Sequence, residues 1–239
     1  MVERLDDAGH DVASASRRTG VDLASGEGVT EALAGADVVV HTADTGNPLQ
    51  WDEVTIGGTM TLIDAAASTD PPPHIVYISI VGCDRSAFRY YRAKAAAERA
   101  LARHAHVPTT VLRATQFHPL AASLARSSTL GPLALGLRGL RMQPIDVDAV
   151  ADRLAEIAAG PSPRGPARAR DIAGPDVLRL DEIATLVARR AGRPAPRVLP
   201  LPPIGATLRS FARGDNLPGP DVDVRGRSFS DWLDADPHT

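Results

Sequence analysis

Apolar residues in this chain fall into short continuous runs separated by segments with helical spacing. The runs at 36–43, 75–81 and 109–114 are rich in β-branched residues, which is typical of strands buried on both faces of a parallel sheet. Helices are predicted between the runs, with short connections. Alternating strands and helices form βαβ units with right-handed crossovers, so the pattern predicts an α/β fold with a parallel sheet and flanking helices.

The remaining segments are shorter or less regular. Apolar spacing and turn residues predict helices at 2–8, 27–33, 54–68, 95–105, 119–126, 147–159, 182–191, 204–212 and from Ser230. Further short strands are predicted at 11–16, 143–145, 170–173 and 197–199, with a flexible loop between 127 and 142. Asp146 and Asp181 are the predicted caps of the helices that follow them. The linker at 160–166 divides a domain at 1–160 from a small C-terminal lobe at 161–239, predicted to pack on the core and to contribute to substrate binding.

Charge and composition narrow the classes of function. A net charge of −3 argues against a nucleic-acid surface or a polybasic membrane anchor, and no apolar run approaches the length of a membrane span. The N-terminus does not resemble a signal peptide, and the single Cys83 excludes an internal disulfide and a cysteine-cluster metal site. We expect a cytoplasmic monomer or homodimer that acts on a small molecule and holds no metal.

Tyr90 and Lys94 are the strongest candidates for chemistry. They are four residues apart, so on a helix they stand on one face, one turn from each other. A nearby ammonium stabilises a phenolate and is expected to lower the pKa of the tyrosine toward neutrality. Lys94 is the one lysine among 26 basic residues, as expected where a guanidinium cannot substitute. The alternative is a tyrosine and a lysine on an exposed helix face.

Several stretches of the chain resemble the short-chain dehydrogenase/reductase superfamily, and most of all its atypical NmrA-like, NAD(P)H-binding branch. The resemblance covers nearly the whole chain and implies a Rossmann-type fold. It is carried by AGADVVVHTA (34–43), VTIGGTMTLIDAA (54–66), HIVYISIVGCDRSAFRYYRAKAAAE (74–98) and VLRATQFH (111–118), with QPIDVDAVADRL (143–154) and FSDWL (229–233) in the tail.

The resemblance implies roles for particular residues. Tyr90 takes the place of the catalytic tyrosine, and Lys94 that of the lysine that binds the nicotinamide ribose. The implied cofactor contacts are Asp22 at the adenine, the strand tip His41, Thr42 and Ala43, and Thr115, Gln116 and Phe117 beside the nicotinamide. Gln116, Phe117 and His118 are the implied substrate contacts. Asp22 is alternatively a solvated turn residue, and His118 a surface loop histidine.

Arg17 and Arg18 bear on the choice of cofactor. They follow the predicted second strand, where the adenosine ribose lies in this fold. An acid there would bind the 2′-hydroxyl of NAD, whereas an arginine accommodates the 2′-phosphate of NADP. The pair therefore favours NADP over NAD, with a solvated loop as the alternative.

Three departures from the family pattern bear on function. The catalytic hydroxyl often lies just past Ser79, but Ile80 and Val81 stand there, so either Ser79 substitutes or this member of the site is absent. Thr55 replaces the usual Asn or Asp at the start of its helix. The first strand and its Gly-x-x-Gly-x-x-Gly loop are missing, so we expect a slot between strands at 11–16 and 36–43, weak NADP binding and marginal stability.

These observations leave more than one function open. The first hypothesis is an NADP-preferring oxidoreductase that reduces a small carbonyl, quinone or enone, with Tyr90 as proton donor. The alternatives are a cofactor-binding regulator without turnover, in which Tyr90 is incidental, and an inactive truncated fragment.

Overall fold

The computed structural model describes residues 1–235. Its helices are α1 (Val2–Asp7), α2 (Val29–Leu33), α3 (Gly58–Ala67), α4 (Arg89–Arg103), α5 (His118–Ser127), α6 (Val147–Ala159), α7 (Leu180–Arg190), α8 (Gly205–Arg213) and α9 (Phe229–Ala235). Its strands are β1 (Val38–His41), β2 (His74–Ile80), β3 (Thr109–Ala114), β4 (Thr129–Leu130), β5 (Leu133–Leu137), β6 (Arg141–Met142), β7 (Pro166–Arg168), β8 (Asp171–Ala173), β9 (Leu178–Arg179), β10 (Arg197–Leu201) and β11 (Val222–Val224). A 3-10 helix spans Arg17–Thr19, and a π-helix spans Trp51–Gly57. No helix within residues 1–235 has the length and apolar character needed to cross a membrane.

A parallel sheet with the strand order β1-β2-β3-β8-β11 forms the centre of the fold, and helices flank it. In β1 and β2 the register pairs Val38 with His74 and His41 with Tyr77. All six residues of β3 are buried, as expected of a strand covered on both faces. The predicted α/β fold with a Rossmann-type parallel sheet is confirmed.

The chain divides into two compact units that interleave along the sequence. The first contains residues 1–79, 89–113 and 151–169, and the second contains 80–88, 114–150 and 170–235. The sequence placed a single boundary near residue 160, and that division into domains stays a prediction.

The first unit packs helices α2, α3 and α4 on β2 and β3. Its apolar core comprises Val29, Leu33, Leu62, Ile63, Ala66, Ile75, Tyr77, Ala97, Leu101, Val107 and Val111. Gly58, at the junction of the π-helix and α3, permits this packing, because a Cβ there would lie 3.0 Å from the Cβ of Leu23. Glycine weakens a helix by propensity, but a larger residue at position 58 would require Leu23 to move slightly.

The second unit contains a separate core between α5, α7 and α9. The buried residues are small on α5 and large on α9, where Phe229 and Trp232 pack against the alanines. In the same unit Ala114 pairs with Ile172, β8 pairs with β11, and β10, β5 and β4 form a smaller sheet.

Several local predictions were wrong. Residues 11–16 form no strand, so β1 has one neighbouring strand among the described residues and no slot opens between two strands. The predicted flexible loop between 127 and 142 contains β4, β5 and β6, whereas the strand predicted at 143–145 is reduced to a single bridge between Ile145 and Phe117. Asp181 lies in the first turn of α7, and Arg179 is the residue that caps it.

Candidate active site

Three side chains of the first unit meet at a single oxygen atom. Tyr90 and Lys94 stand one turn apart on α4, and Asp44 lies in the loop after β1. The Tyr90 hydroxyl donates to Oδ2 of Asp44 at 2.5 Å, and Nζ of Lys94 lies 2.9 Å from the same Oδ2. The two predicted catalytic side chains therefore converge on one acceptor, which the sequence analysis did not identify.

The second carboxylate oxygen of Asp44 is also held. Its Oδ1 accepts the hydroxyl of Thr55 at 3.0 Å and the backbone N–H of Thr45 at 2.8 Å. Thr55 is buried within the π-helix, a geometry that is rare and that occurs often at functional sites. Four donors thus surround the carboxylate of Asp44, whose side chain is 26% exposed. The available signal was an acid directly after the predicted strand tip at His41, Thr42 and Ala43.

Lys94 is buried, with a side chain only 4% exposed. Besides Asp44, its Nζ donates to the carbonyl oxygen of Ile78 at 3.1 Å and lies 4.9 Å from the centroid of the Tyr77 ring. A buried ammonium needs such partners because leaving it unpaired is costly. The alternative of an exposed tyrosine and lysine is therefore wrong for Lys94, while Tyr90 is partly buried.

The protonation of the site differs from the expectation. Burial raises the pKa of Tyr90, and the charge and hydrogen bond of Asp44 raise it further. The prediction that Lys94 lowers this pKa is wrong, because the ammonium is paired with a carboxylate that itself contacts the phenol. Burial would raise the pKa of Asp44, but Lys94 and the hydrogen bonds to the carboxylate outweigh it and lower that pKa. Tyr90 is thus a neutral phenol and Asp44 an anion near neutral pH.

His41 supports the site from the end of β1. Its Nε2 lies 3.0 Å from the hydroxyl oxygen of Thr59, which donates to the carbonyl oxygen of Thr55 at 2.7 Å. Since that hydroxyl has one proton, Nε2 of His41 must be the donor to it. Burial lowers the pKa of His41 to about 3, with a further contribution from Lys94 that Asp44 opposes. His41 is therefore a neutral imidazole that anchors the π-helix.

Thr42, Ala43 and Ser79 complete the predicted contacts near this site. Thr42 and Ala43 follow β1 and are exposed, and Ser79 is buried in β2. The substitution of Ser79 for the missing catalytic hydroxyl stays a prediction. The hydroxyl that the structure brings into this network is that of Thr55, which the sequence analysis recorded only as a departure from the family.

The residues predicted to bind the adenosine end also lie in the first unit. Arg17 and Arg18 belong to the 3-10 helix and are exposed, and neither forms an ion pair with any residue in 1–235. Asp22 accepts the backbone N–H of Ala24 at 2.9 Å, as in an Asx turn. This contact matches the alternative of a turn residue, and its role at the adenine stays a prediction.

The residues after β3 belong to the second unit. Thr115 and Gln116 are buried, and Phe117 precedes α5. His118 is 0% exposed and packs against Phe229 and Trp232, so the alternative of a surface histidine is wrong. Burial lowers the pKa of His118, and its Nε2 lies 3.2 Å from the carbonyl oxygen of Arg227. The cofactor and substrate roles of residues 115–118 stay predictions.

The described residues offer no candidate metal site. Within residues 1–235 no three side chains among His, Cys, Asp and Glu are grouped so that they could hold a metal ion.

Comparisons with known proteins identify the fold. No protein-family model matches the chain, and no curated protein matches its sequence. Among solved structures, a nucleoside-diphosphate-sugar epimerase from Staphylococcus aureus is 18% identical with a TM-score of 0.70, over 89% of this chain and 81% of the other. An NADPH-dependent quinone oxidoreductase from Escherichia coli, complexed with NADPH, is 15% identical with a TM-score of 0.68, over 97% and 85%.

A third similar structure is a UDP-glucuronic acid 4-epimerase from Bacillus cereus, in complex with UDP-glucuronic acid and NAD. It is 18% identical with a TM-score of 0.61, over 87% of this chain and 76% of the other. At these identities the likeness concerns the backbone. The chain therefore shares with these proteins a Rossmann-type α/β fold built on a parallel sheet.

Proposed function

We propose that this protein is an NAD(P)H-dependent oxidoreductase of the NmrA-like type that reduces a small carbonyl, quinone or enone. The observation that carries the proposal is the convergence of the Tyr90 hydroxyl and Nζ of Lys94 on one oxygen, at 2.5 and 2.9 Å. Two donors aimed at one point suit an oxygen that must be held and then protonated. The reduction of a carbonyl requires its oxygen to be held and protonated in this way.

Hydrogen-bond donors of the chain also suit a nicotinamide cofactor. Lys94 and Tyr90 are the residues that would bind a ribose hydroxyl, and the exposed pair Arg17 and Arg18 would bind the 2′-phosphate of NADP. When bound, the dihydronicotinamide supplies a hydride to the substrate carbon. No Gly-x-x-Gly-x-x-Gly segment occurs in the 239 residues, so no residue is assigned to the pyrophosphate.

Tyr90 and Lys94 have distinct tasks in this proposal. Tyr90 gives its hydroxyl proton to the oxygen of the carbonyl as the carbon is reduced, so that the product is an alcohol. The ammonium of Lys94 stabilises the phenolate until a proton from solvent restores it. The substrate contacts implied at Gln116, Phe117 and His118 rest on the resemblance to the family alone and stay predictions.

The test is an NADPH oxidation assay with a panel of quinones, aldehydes and enones, together with a fluorescence titration of NADPH and NADH. We expect turnover with at least one class of substrate, and tighter binding of NADPH than of NADH. Arg99 is an exposed arginine on α4, and Arg99→Ala is the control for variants that remove the positive charge of Arg17 or Arg18. The proposal would be contradicted if neither NADPH nor NADH bound.

The second candidate is an NAD(P)-binding regulator without turnover. The Tyr90 hydroxyl already donates its hydrogen bond to Asp44, and Ile80 and Val81 carry no hydroxyl at the position past Ser79. Both features favour cofactor binding without catalysis. The same experiment separates the two functions, because the regulator would bind NADPH and oxidise it with no member of the panel.

A further inference from the structure

The Tyr90–Lys94 pair is joined through Asp44 and not directly. Oδ2 of Asp44 lies between the phenol oxygen and the ammonium, at 2.5 and 2.9 Å, whereas Nζ of Lys94 is 5.9 Å from the centroid of the Tyr90 ring. The position of the carboxylate is set independently of these two contacts, because Thr55 and the backbone of Thr45 hold its other oxygen. Asp44 is therefore a fixed point to which both side chains are attached.

This arrangement favours the neutral form of Tyr90, in addition to the effect of burial. The carboxylate accepts a hydrogen bond from the Tyr90 hydroxyl and places a negative charge beside the phenol oxygen. Both effects disfavour the phenolate form of Tyr90. An ammonium has the opposite effect, but here its charge is balanced by the carboxylate in contact with it. Without Asp44, the nearest charge to the phenol would be that of Lys94.

We propose that Asp44 is a positioning residue for Tyr90 and Lys94, which orients both on one oxygen and makes Tyr90 a proton donor and not a phenolate base. The inference rests on the proposed reduction, in which a proton must be given to the substrate oxygen. It favours the direction from carbonyl to alcohol. It also requires the phenol to turn its proton from Asp44 to the substrate, so the substrate oxygen competes with Asp44 for the same donors.

Other groups that face Tyr90 remain constant when Asp44 is changed. Tyr77 on β2 and Tyr91 on α4 are neutral neighbours that both raise the pKa of Tyr90, and His41 is neutral as well. The charged pair of Arg89 and Asp52 balances itself at 2.7 Å. Replacement of Asp44 by asparagine therefore removes its charge and one of its two acceptor oxygens, while these other groups stay the same.

The direct test is a tyrosinate titration in the near ultraviolet, which needs no cofactor. The contribution of Tyr90 is the difference between each protein and the same protein with Tyr90→Phe. In the wild type we expect no ionisation of Tyr90 at or below the ordinary tyrosine value of about 10. In Asp44→Asn we expect its midpoint to fall by about one unit or more, because the charge of Asp44 beside the phenol is removed while burial continues to raise the pKa.

Asp52→Asn is the matched control, since Asp52 is an exposed acid that pairs with Arg89 and forms no hydrogen bond with Tyr90. It should leave the titration as in the wild type. Ionisation of Tyr90 below pH 10 in the wild type, or an unchanged midpoint in a folded Asp44→Asn protein, would overturn the proposal. If Asp44→Asn does not fold, ionisation of Tyr90 below pH 10 in the wild type would still overturn the proposal.

A rate measurement separates positioning from a merely structural role. In Asp44→Asn the decline of the reduction rate at high pH should begin at a lower pH than in the wild type, following the ionisation of Tyr90. A structural role would lower stability without moving the titration. Absence of turnover in every variant would count against the oxidoreductase, while the titration would still report on Asp44.

Discussion

Glu98 on α4 and Arg113 on β3 form an ion pair with two parallel hydrogen bonds. Nε of Arg113 donates to Oε1 at 2.8 Å and Nη2 donates to Oε2 at 2.6 Å, and the two side chains are 14% and 8% exposed. Glu98 lies one helical turn after Lys94, on the helix that also carries Tyr90. The pair thus attaches the helix of the candidate site to the neighbouring strand.

Glu98→Gln should be strongly destabilising. It removes the charge of Glu98 from the buried pair, and the loss of one partner of such a pair costs about 3–5 kcal/mol of unfolding free energy. The double variant Glu98→Gln with Arg113→Met should recover much of this loss, because the guanidinium is removed together with the carboxylate. Urea denaturation measures both. Glu156→Gln, at the exposed pair with Arg153, is the control and should change stability by less than about 1 kcal/mol.

Tyr90→Phe should abolish most of the reduction while leaving NADPH affinity nearly unchanged. The ring remains but the proton donor is lost, and such a donor contributes about 10²–10⁴-fold in rate. Steady-state turnover and a binding titration measure the two effects separately. A turnover close to that of the wild type would remove Tyr90 from the mechanism and favour the regulator.

Arg17→Ala combined with Arg18→Ala should weaken NADPH more than NADH. Each hydrogen bond from a guanidinium to the 2′-phosphate contributes about 1.5–3 kcal/mol, and NADH has no such phosphate. The ratio of the two dissociation constants is the quantity to compare between variant and wild type. An equal loss for both cofactors would show that these arginines do not recognise the 2′-phosphate.

Gly82→Ala should destabilise the second unit severely. Gly82 has a φ of +81°, and a Cβ there would lie 1.9 Å from the carbonyl oxygen of Asp215, so the two backbones could not keep their approach. Gly35→Ala is the matched control, with a φ of +75° and open space around the Cβ. The control should lose only the backbone cost of about 1–2 kcal/mol. Similar melting temperatures for the two variants would contradict the close approach at Gly82.

Acid should destabilise the protein partly through His41. Its pKa is about 3 in the folded chain and about 6.5 when unfolded, so the unfolded state binds the extra proton between these values. The stabilisation is complete above pH 6.5 and is lost as the pH falls, at about 1.4 kcal/mol per unit. His41→Asn should reduce the slope of unfolding free energy against pH by about this amount between pH 6 and 4. An unchanged slope would show that His41 is protonated in the folded protein.

The sequence pattern alone predicted those helices and strands whose own residues show which faces are buried. The strand at 109–114 was predicted to its last residue, because six consecutive residues suited to burial leave little choice of structure. The helix at 147–159 was predicted from the apolar residues on one of its faces, with Asp146 as its cap, and Oδ1 of Asp146 accepts the N–H of Asp148 at 3.2 Å. The spacing of Tyr90 and Lys94 also placed them correctly on one helix.

The tertiary structure decided the contacts between distant parts of the chain. A strand at 11–16 would need a neighbouring strand to complete its backbone hydrogen bonds. Among the described residues none pairs with it, and the apolar pattern of 11–16 carries no information about such a partner. Asp44 and Tyr90 are 46 residues apart, and their hydrogen bond depends on how the loop after β1 meets α4. Burial raises the pKa of Tyr90, and that contact raises it further. Sequence spacing identified the phenol and the ammonium, but only packing placed a carboxylate between them, because burial and distance set the electrostatics of a site.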